Sequence, residues 1–402
     1  MQNIILFDNN TWQGLLPITY TKPIAKIRVG IMTIEEKWKR FIPANYSYYT
    51  KDYLSEKFPP NLSDDNIFIN GTILPDIDIT EKILNLNQNS ILIYEDTIVA
   101  FRLPTPCKIN FESIIFNNNY SKLNIIKTNN INTINNLWDI YQKTETELIK
   151  DFNLLSNGTN SCTLSATNTL IGDKNNLFIS NRAKIEACIL NTSTGPIFID
   201  EDAEIMEGTV IRGPFYLGKH STLKMSSKIY GATSIGHNCK VGGEVNNSVI
   251  LDYSNKAHDG FLGNSVIGEW CNIGADTNNS NLKNNYAEVK LWNYVEKRFK
   301  NTHNQFCGLF MGDHSKTGIN TMFNTGTVVG VSANIFGPGF PRNFIPSFSW
   351  GGATGFSTFN IDKSFETATT MMKRRGLILD EVEKKILLYI FNNSGEFRHW
   401  EK

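Results

Sequence analysis

The sequence predicts an α/β domain followed by a parallel β-helix with helices behind it, and three observations carry this. Aliphatic residues fall at Ile199, Ile205, Ile211, Leu217, Leu223, Ile229, Ile235 and Val241, eight consecutive positions at a spacing of six. Upstream of them, buried-strand patterns alternate with helical ones, the order expected of a largely parallel sheet. Beyond residue 361 the pattern is helical again, in "SFETATTMMKRR" and "LDEVEKKILLYIFNN" on either side of Gly376.

The first domain is expected over 1–152. "NIILF", "NIFIN" and "SILIYED" read as buried strands. "TIEEKWKRF" reads as a helix that Thr33 caps, with Glu36 completing a capping box. "TINNLWDIYQKTETELIKDF" reads as the domain's last helix.

The coils are expected over 153–361. A period of six fits neither an amphipathic helix nor an alternating strand. It fits a β-helix in which each hexad forms one short side and a corner, three hexads closing one triangular coil. The register recurs at Ile267 and Ile273, then at Met311, Thr317, Phe323, Val329 and Ile335. It slips between Val241 and Ile267, and His258 lies in the slip. Residues 277–307, polar, basic and aromatic, are read as an inserted arm. Residues 362–402 are read as a helical cap over the open strand edge.

Composition excludes several classes. Thirty-nine basic residues balance 39 acidic ones, which argues against a general electrostatic grip on nucleic acid or anionic membrane. No run approaches the roughly 18 apolar residues of a membrane span, and no signal peptide is visible at the start, so a cytoplasmic protein is expected. The six cysteines form no CxxC pair, suggesting neither a zinc site nor a disulfide frame.

"GLLPITYTKPIAKIRVGI", "KAHDGFLG", "NIGAD" and "GLFMGDHSKTGINTMFNTGTVVG" resemble the GlmU-like sugar nucleotidyltransferases. These pair a nucleotidyltransferase-like domain with a left-handed β-helix acyltransferase domain. The resemblance covers nearly the whole chain. It implies that His258 is a general base, that Ala275 offers its backbone N–H to an oxyanion, and that Asn272 and Glu244 orient the site. It places Lys256, Asn285 and Tyr286 at the substrate. An imidazole suits the base role because its ordinary pKa lies near working pH. The pattern departs at Asn246, where the family grips phosphate with lysine, and at Phe261, where it has tyrosine.

The same resemblance places a phosphate-cradling loop after the first strand. Here only Gly14 remains of it, and its arginine is missing, leaving Lys22, Lys26 and Arg28 as candidate phosphate ligands. Where the family presents a metal-binding Asp, this sequence has Asn70 and Gly71, with Asp76 further along. No metal ligand is assigned, and Mg2+ enters only if this domain is active.

The expected function is acyl transfer from acetyl-CoA or another acyl-CoA to a sugar phosphate or nucleotide sugar, by a homotrimer. The alternatives are sugar-1-phosphate nucleotidyl transfer by the first domain, and a non-catalytic assembly protein that binds nucleotide sugars. No nucleic-acid partner and no membrane span are expected.

Overall fold

The computed structural model describes residues 2–105 and 110–401. The chain forms two compact units, one of residues 1–15, 21–27 and 32–136, the other of 16–20, 28–31 and 137–402.

The first unit is built on a six-stranded sheet. Its strands are β1 (Asn3–Phe7), β2 (Asn45–Tyr49), β3 (Asp65–Asn70), β4 (Ser90–Tyr94), β5 (Thr97–Pro104) and β6 (Asn124–Lys127), in the order β2-β1-β3-β5-β4-β6. β1 pairs parallel with β2 and β3, whereas β5 runs antiparallel to both β3 and β4. The sheet is therefore mixed rather than largely parallel. The cause is local: a two-residue turn with Glu95 in the left-handed region joins β4 to β5 as a hairpin. Helix α1 (Ile34–Phe41) begins with the expected capping box, Thr33 accepting from the Glu36 N–H and Glu36 from the Thr33 N–H.

The second unit is a parallel β-helix with three faces. Nine strands stack on the first face, from 177–179 to 344–345. The second face runs from 184–185 through 240–241 and 255–256, bridges through Asn272 to 316–317, and ends at 349–352. The third carries 228–230, 244–246 and 261–263 in one column. Every residue of the eight-member hexad series lies in the coil interior, at most 2% exposed. Inward positions face those of the coils above and below, so an apolar side chain is favoured at each.

The slip after Val241 is a shortening of the chain. Glu244 pairs with Phe261 and Val241 with Lys256, so the corner Gly242–Gly243 spans in two residues what the next coil spans in four, Ala257–Gly260. Helix α2 (Leu137–Ser156) packs on the first face, with Tyr141 against Phe310 and Phe152 against Phe198.

The inserted arm is a hairpin, Lys290–Asn293 with Arg298–Asn301. It folds onto its own chain: Trp292 stacks on Phe344 at 4.1 Å, and Tyr294 meets Phe344 and Phe397 edge-on at 5.5 Å. The open edge of the last second-face strand is paired by strand Gly355–Thr358. Helix α3 (Ile361–Lys373) lies along the second face, and α4 (Glu381–Asn393) follows it. No helix among the described residues is long and apolar enough to cross a membrane. Cys107 lies outside the described residues, and the other five cysteines are free.

Candidate functional site

The corner between the second and third faces gathers the residues predicted for acyl transfer. Asn255 and Asn272 are bridged in adjacent coils, so His258 and Ala275, each three residues further on, belong to stacked corners. The imidazole of His258 is exposed. The four-residue corner that carries it packs directly on the two-residue corner Gly242–Gly243 of the coil below. Gly243 has φ +73°, and a Cβ there would sit 2.8 Å from the Asp259 Cα, so this close stacking of the two corners requires glycine.

Ala275 is half-buried, its carbonyl accepting from the Asn320 N–H at 2.8 Å. Its own N–H has no acceptor among the described residues, which leaves it available to a developing oxyanion. Glu244, on the coil below and opposite Phe261, accepts from the Tyr230 hydroxyl at 2.6 Å. Burial and this carboxylate raise the Tyr230 pKa, so the phenol stays a donor that fixes Glu244. Lys228 pairs with Glu244 in the same column. This places an exposed cation on the coil face whose expected phosphate-gripping position is Asn246.

Lys256 is a correction. It points into the coil, 2% exposed, and its ammonium donates to the Gly242 carbonyl at 2.9 Å and the His258 carbonyl at 2.8 Å. Burial pushes its pKa down to about 8. It therefore ties the clipped corner to the His258 corner from inside, and does not reach a substrate.

Asn285 and Tyr286 lie on the arm, and Tyr286 is 66% exposed. Asn285 accepts from the Ala287 N–H, and the Tyr286 carbonyl from Gln305. Among the described residues no hydrogen bond or ring contact joins them to the His258 corner, so the structure does not bring them into it.

Asn272 faces a pocket of about 560 Å³ on the second face. His314 is 9% exposed and stacked on Trp270 at 6.3 Å.

In the first unit, the predicted phosphate ligands are dispersed. Gly14 ends a short helix, Thr11–Gly14. Lys22 is 4% exposed. Lys26 pairs with Glu35 at 2.5 Å and lies over the Tyr48 ring. Arg28 belongs to the second unit, where Asp252 takes its guanidinium at 3.1 Å. Lys26 and Arg28 thus have their charges met within the fold, which corrects their reading as phosphate ligands. Asp76 caps a helix, accepting from the Ile79 N–H at 2.8 Å, and Asn70 bonds the Ile98 carbonyl.

The residue that sequence reading missed here is Asp8. It ends β1 where the chain passes first to β2 on one side and then to β3 on the other, the switch point at which open α/β sheets bind ligands. Asp8 is 2% exposed and accepts from the Ile24 N–H at 2.9 Å and the Thr50 hydroxyl at 2.6 Å. Burial raises its pKa to about 7. Its folded form therefore holds a proton that the unfolded chain releases from about pH 4 upward, and stability falls as pH rises through that window. Asp8→Asn is expected to flatten this slope and raise the melting temperature above pH 7, measured by thermal unfolding from pH 4 to 8. Among the described residues no three His, Cys, Asp or Glu side chains cluster to hold a metal.

Residues 4–160 match the family model described as sugar nucleotidyl transferase. A stretch of 144 residues is 31% identical to a bifunctional sugar-1-phosphate nucleotidylyltransferase/acetyltransferase of Sulfurisphaera tokodaii. That match spans 35% of this chain and 35% of the relative, about a third of its length. Among solved structures, LpxA, a UDP-N-acetylglucosamine acyltransferase from Bacteroides fragilis, aligns with 59% of this chain and 84% of its own, at 15% identity and TM-score 0.31. AntD, an N-acyltransferase from Bacillus cereus, aligns with 54% of this chain and 100% of its own, at 14% identity and TM-score 0.23.

Proposed function

We propose that the second unit transfers an acyl group from acyl-CoA to an amine or hydroxyl of a sugar phosphate or nucleotide sugar. One observation carries this: an exposed imidazole, His258, lies one coil below the corner of Ala275, whose N–H has no acceptor among the described residues. A ring nitrogen of His258 removes the acceptor proton as the acceptor attacks the thioester carbonyl. The Ala275 N–H meets the oxyanion. Collapse expels the CoA thiolate, which takes the proton back from the imidazolium. Glu244 lines the approach from the coil below, and Lys228 from the coil beneath that. The named relative is itself a nucleotidylyltransferase and acetyltransferase, which supports the pairing of chemistries. The working form is a cytoplasmic homotrimer.

A second reading, sugar-1-phosphate nucleotidyl transfer by the first unit, rests on the family match over residues 4–160 and on the Asp8 switch point. The experiment is a parallel assay of the purified chain with a panel of amino-sugar phosphates and nucleotide sugars. It measures thiol release from acetyl-CoA and pyrophosphate release from nucleoside triphosphates. Acceptor-dependent thiol release supports the first reading; pyrophosphate release without it supports the second and sinks the first.

A further inference from the structure

The second face carries, immediately upstream of the His258 corner, a feature that the acyl-transfer step does not use. The 560 Å³ pocket lies between the outward column Lys240, Asn255, Asn272, Lys316 and the end of α3. Four cations converge on it: Lys240 and Lys316 from the coils, Arg374 and Arg375 from beyond the helix. None of the four has an ion-pair partner within 4 Å among the described residues. The pocket's one acid, Glu366, is taken by Lys363 at 3.0 Å.

The polar bonds these cations make are to neutral groups. Lys316 donates to the His314 carbonyl at 2.7 Å, and Arg375 to Asn255 Oδ1 at 3.4 Å. Burial, then the neighbouring Arg375, Lys224 and Arg374, holds Lys240 below the usual lysine range. Burial pushes Lys316 down to about 8. Crowding like charges with no counter-charge destabilises the unliganded fold. The arrangement is the one a polyanion compensates, because arginine forks and lysine ammonium groups make their strongest bonds to phosphate. The apolar lining is Tyr253, Trp270 and Met371, with the two rings stacked on each other at 4.3 Å. It offers a flat heterocycle a surface beside the charges.

We propose that this pocket holds the phosphate-bearing end of a nucleotide, a nucleoside carrying two phosphates, while the rest of the ligand runs toward the His258 corner. The distance suits this: Asn255 and Asn272 each precede their corner residue by three positions, roughly 10 Å of extended chain. The proposal deepens the acyl-transfer reading and rests on it for the direction in which the ligand lies. Two ligands share the chemistry, the bisphosphorylated adenosine of coenzyme A and the nucleoside diphosphate of a sugar nucleotide.

The test is calorimetric titration of the full chain with adenosine 3′,5′-bisphosphate, with UDP and with inorganic pyrophosphate. It compares wild type, Lys240→Gln/Arg375→Gln and the charge-keeping Lys240→Arg, each checked for folding by circular dichroism. One nucleotide is expected to bind more tightly than pyrophosphate and to lose about 30-fold or more in the double variant. Lys240→Arg keeps most of that affinity. Tighter adenosine bisphosphate assigns the pocket to the donor, and tighter UDP to the sugar nucleotide. No nucleotide binding, or binding that the folded double variant leaves unchanged, overturns the proposal. If acyl transfer is then still observed, only the pocket assignment falls. If the nucleotide binds as expected but no acyl transfer occurs, the His258 reading falls and the pocket stands.

Discussion

His258→Ala is expected to lower acyl-transfer turnover by about 10²- to 10⁴-fold, with kcat and kcat/KM falling together. The imidazole takes its proton only as the acceptor attacks, so its loss removes an interaction made in the transition state and not in the bound ground state. The side chain is exposed, so the variant folds as the wild type does. The corner itself is held through the backbone, by Lys256 on the His258 carbonyl and by the glycines at 243 and 260. A variant that retains turnover would move the base to another group.

Asp252→Ala is expected to cost about 3 kcal/mol of stability, at the lower end of what losing one member of a buried ion pair costs. The melting temperature should fall by about 5 °C. Its carboxylate meets Arg28, whose side chain is 3% exposed, and also accepts from the His237 N–H at 2.8 Å. Burial works to raise the Asp252 pKa, and Arg28 and His237 more than offset it. Removing the carboxylate takes from a buried guanidinium the charge that Asp252 supplies. Arg28→Met should cost less, because Asp252 is 25% exposed and water can reach it. Thermal unfolding of the two variants checks the order; an Arg28→Met loss equal to or larger than that of Asp252→Ala would contradict this account of the pair.

The coils were legible because an inward position of a β-helix has one requirement, an apolar side chain, repeated every six residues. Where a coil breaks that rule, the reading weakened. Lys256 fills an inward slot with a lysine, and the corner at Gly242–Gly243 loses two residues. Both disturb the period next to the residue that matters, so His258 could be placed in a slip but not above a shortened corner. The resemblance supplied Lys256 as a substrate ligand because motif spacing does not report which way a side chain points.

The basic pocket was not legible for a different reason. Asn272 and Lys316 are neighbours on one face only after the whole arm has been looped out, and Arg374 and Arg375 join them through a helix that no periodicity places. The arm reads only as an insertion, and its Trp292 and Tyr294 pack on Phe344 and Phe397 of their own chain. In the first unit, Asp8 carried no motif. Its meaning lies in the strand order, with β1 between β2 and β3, and in its burial.

The central claim is that the His258 corner transfers acyl groups, and the most direct measurement is the mass of the acceptor. Amino-sugar phosphates and nucleotide sugars are incubated with isotopically labelled acetyl-CoA and either wild type or His258→Ala, and the products are resolved by mass spectrometry. The account predicts a labelled acetyl group on one acceptor with the wild type and its near-absence with the variant. Equal labelling by both proteins, or none by the wild type while the same preparation binds nucleotide, would contradict it.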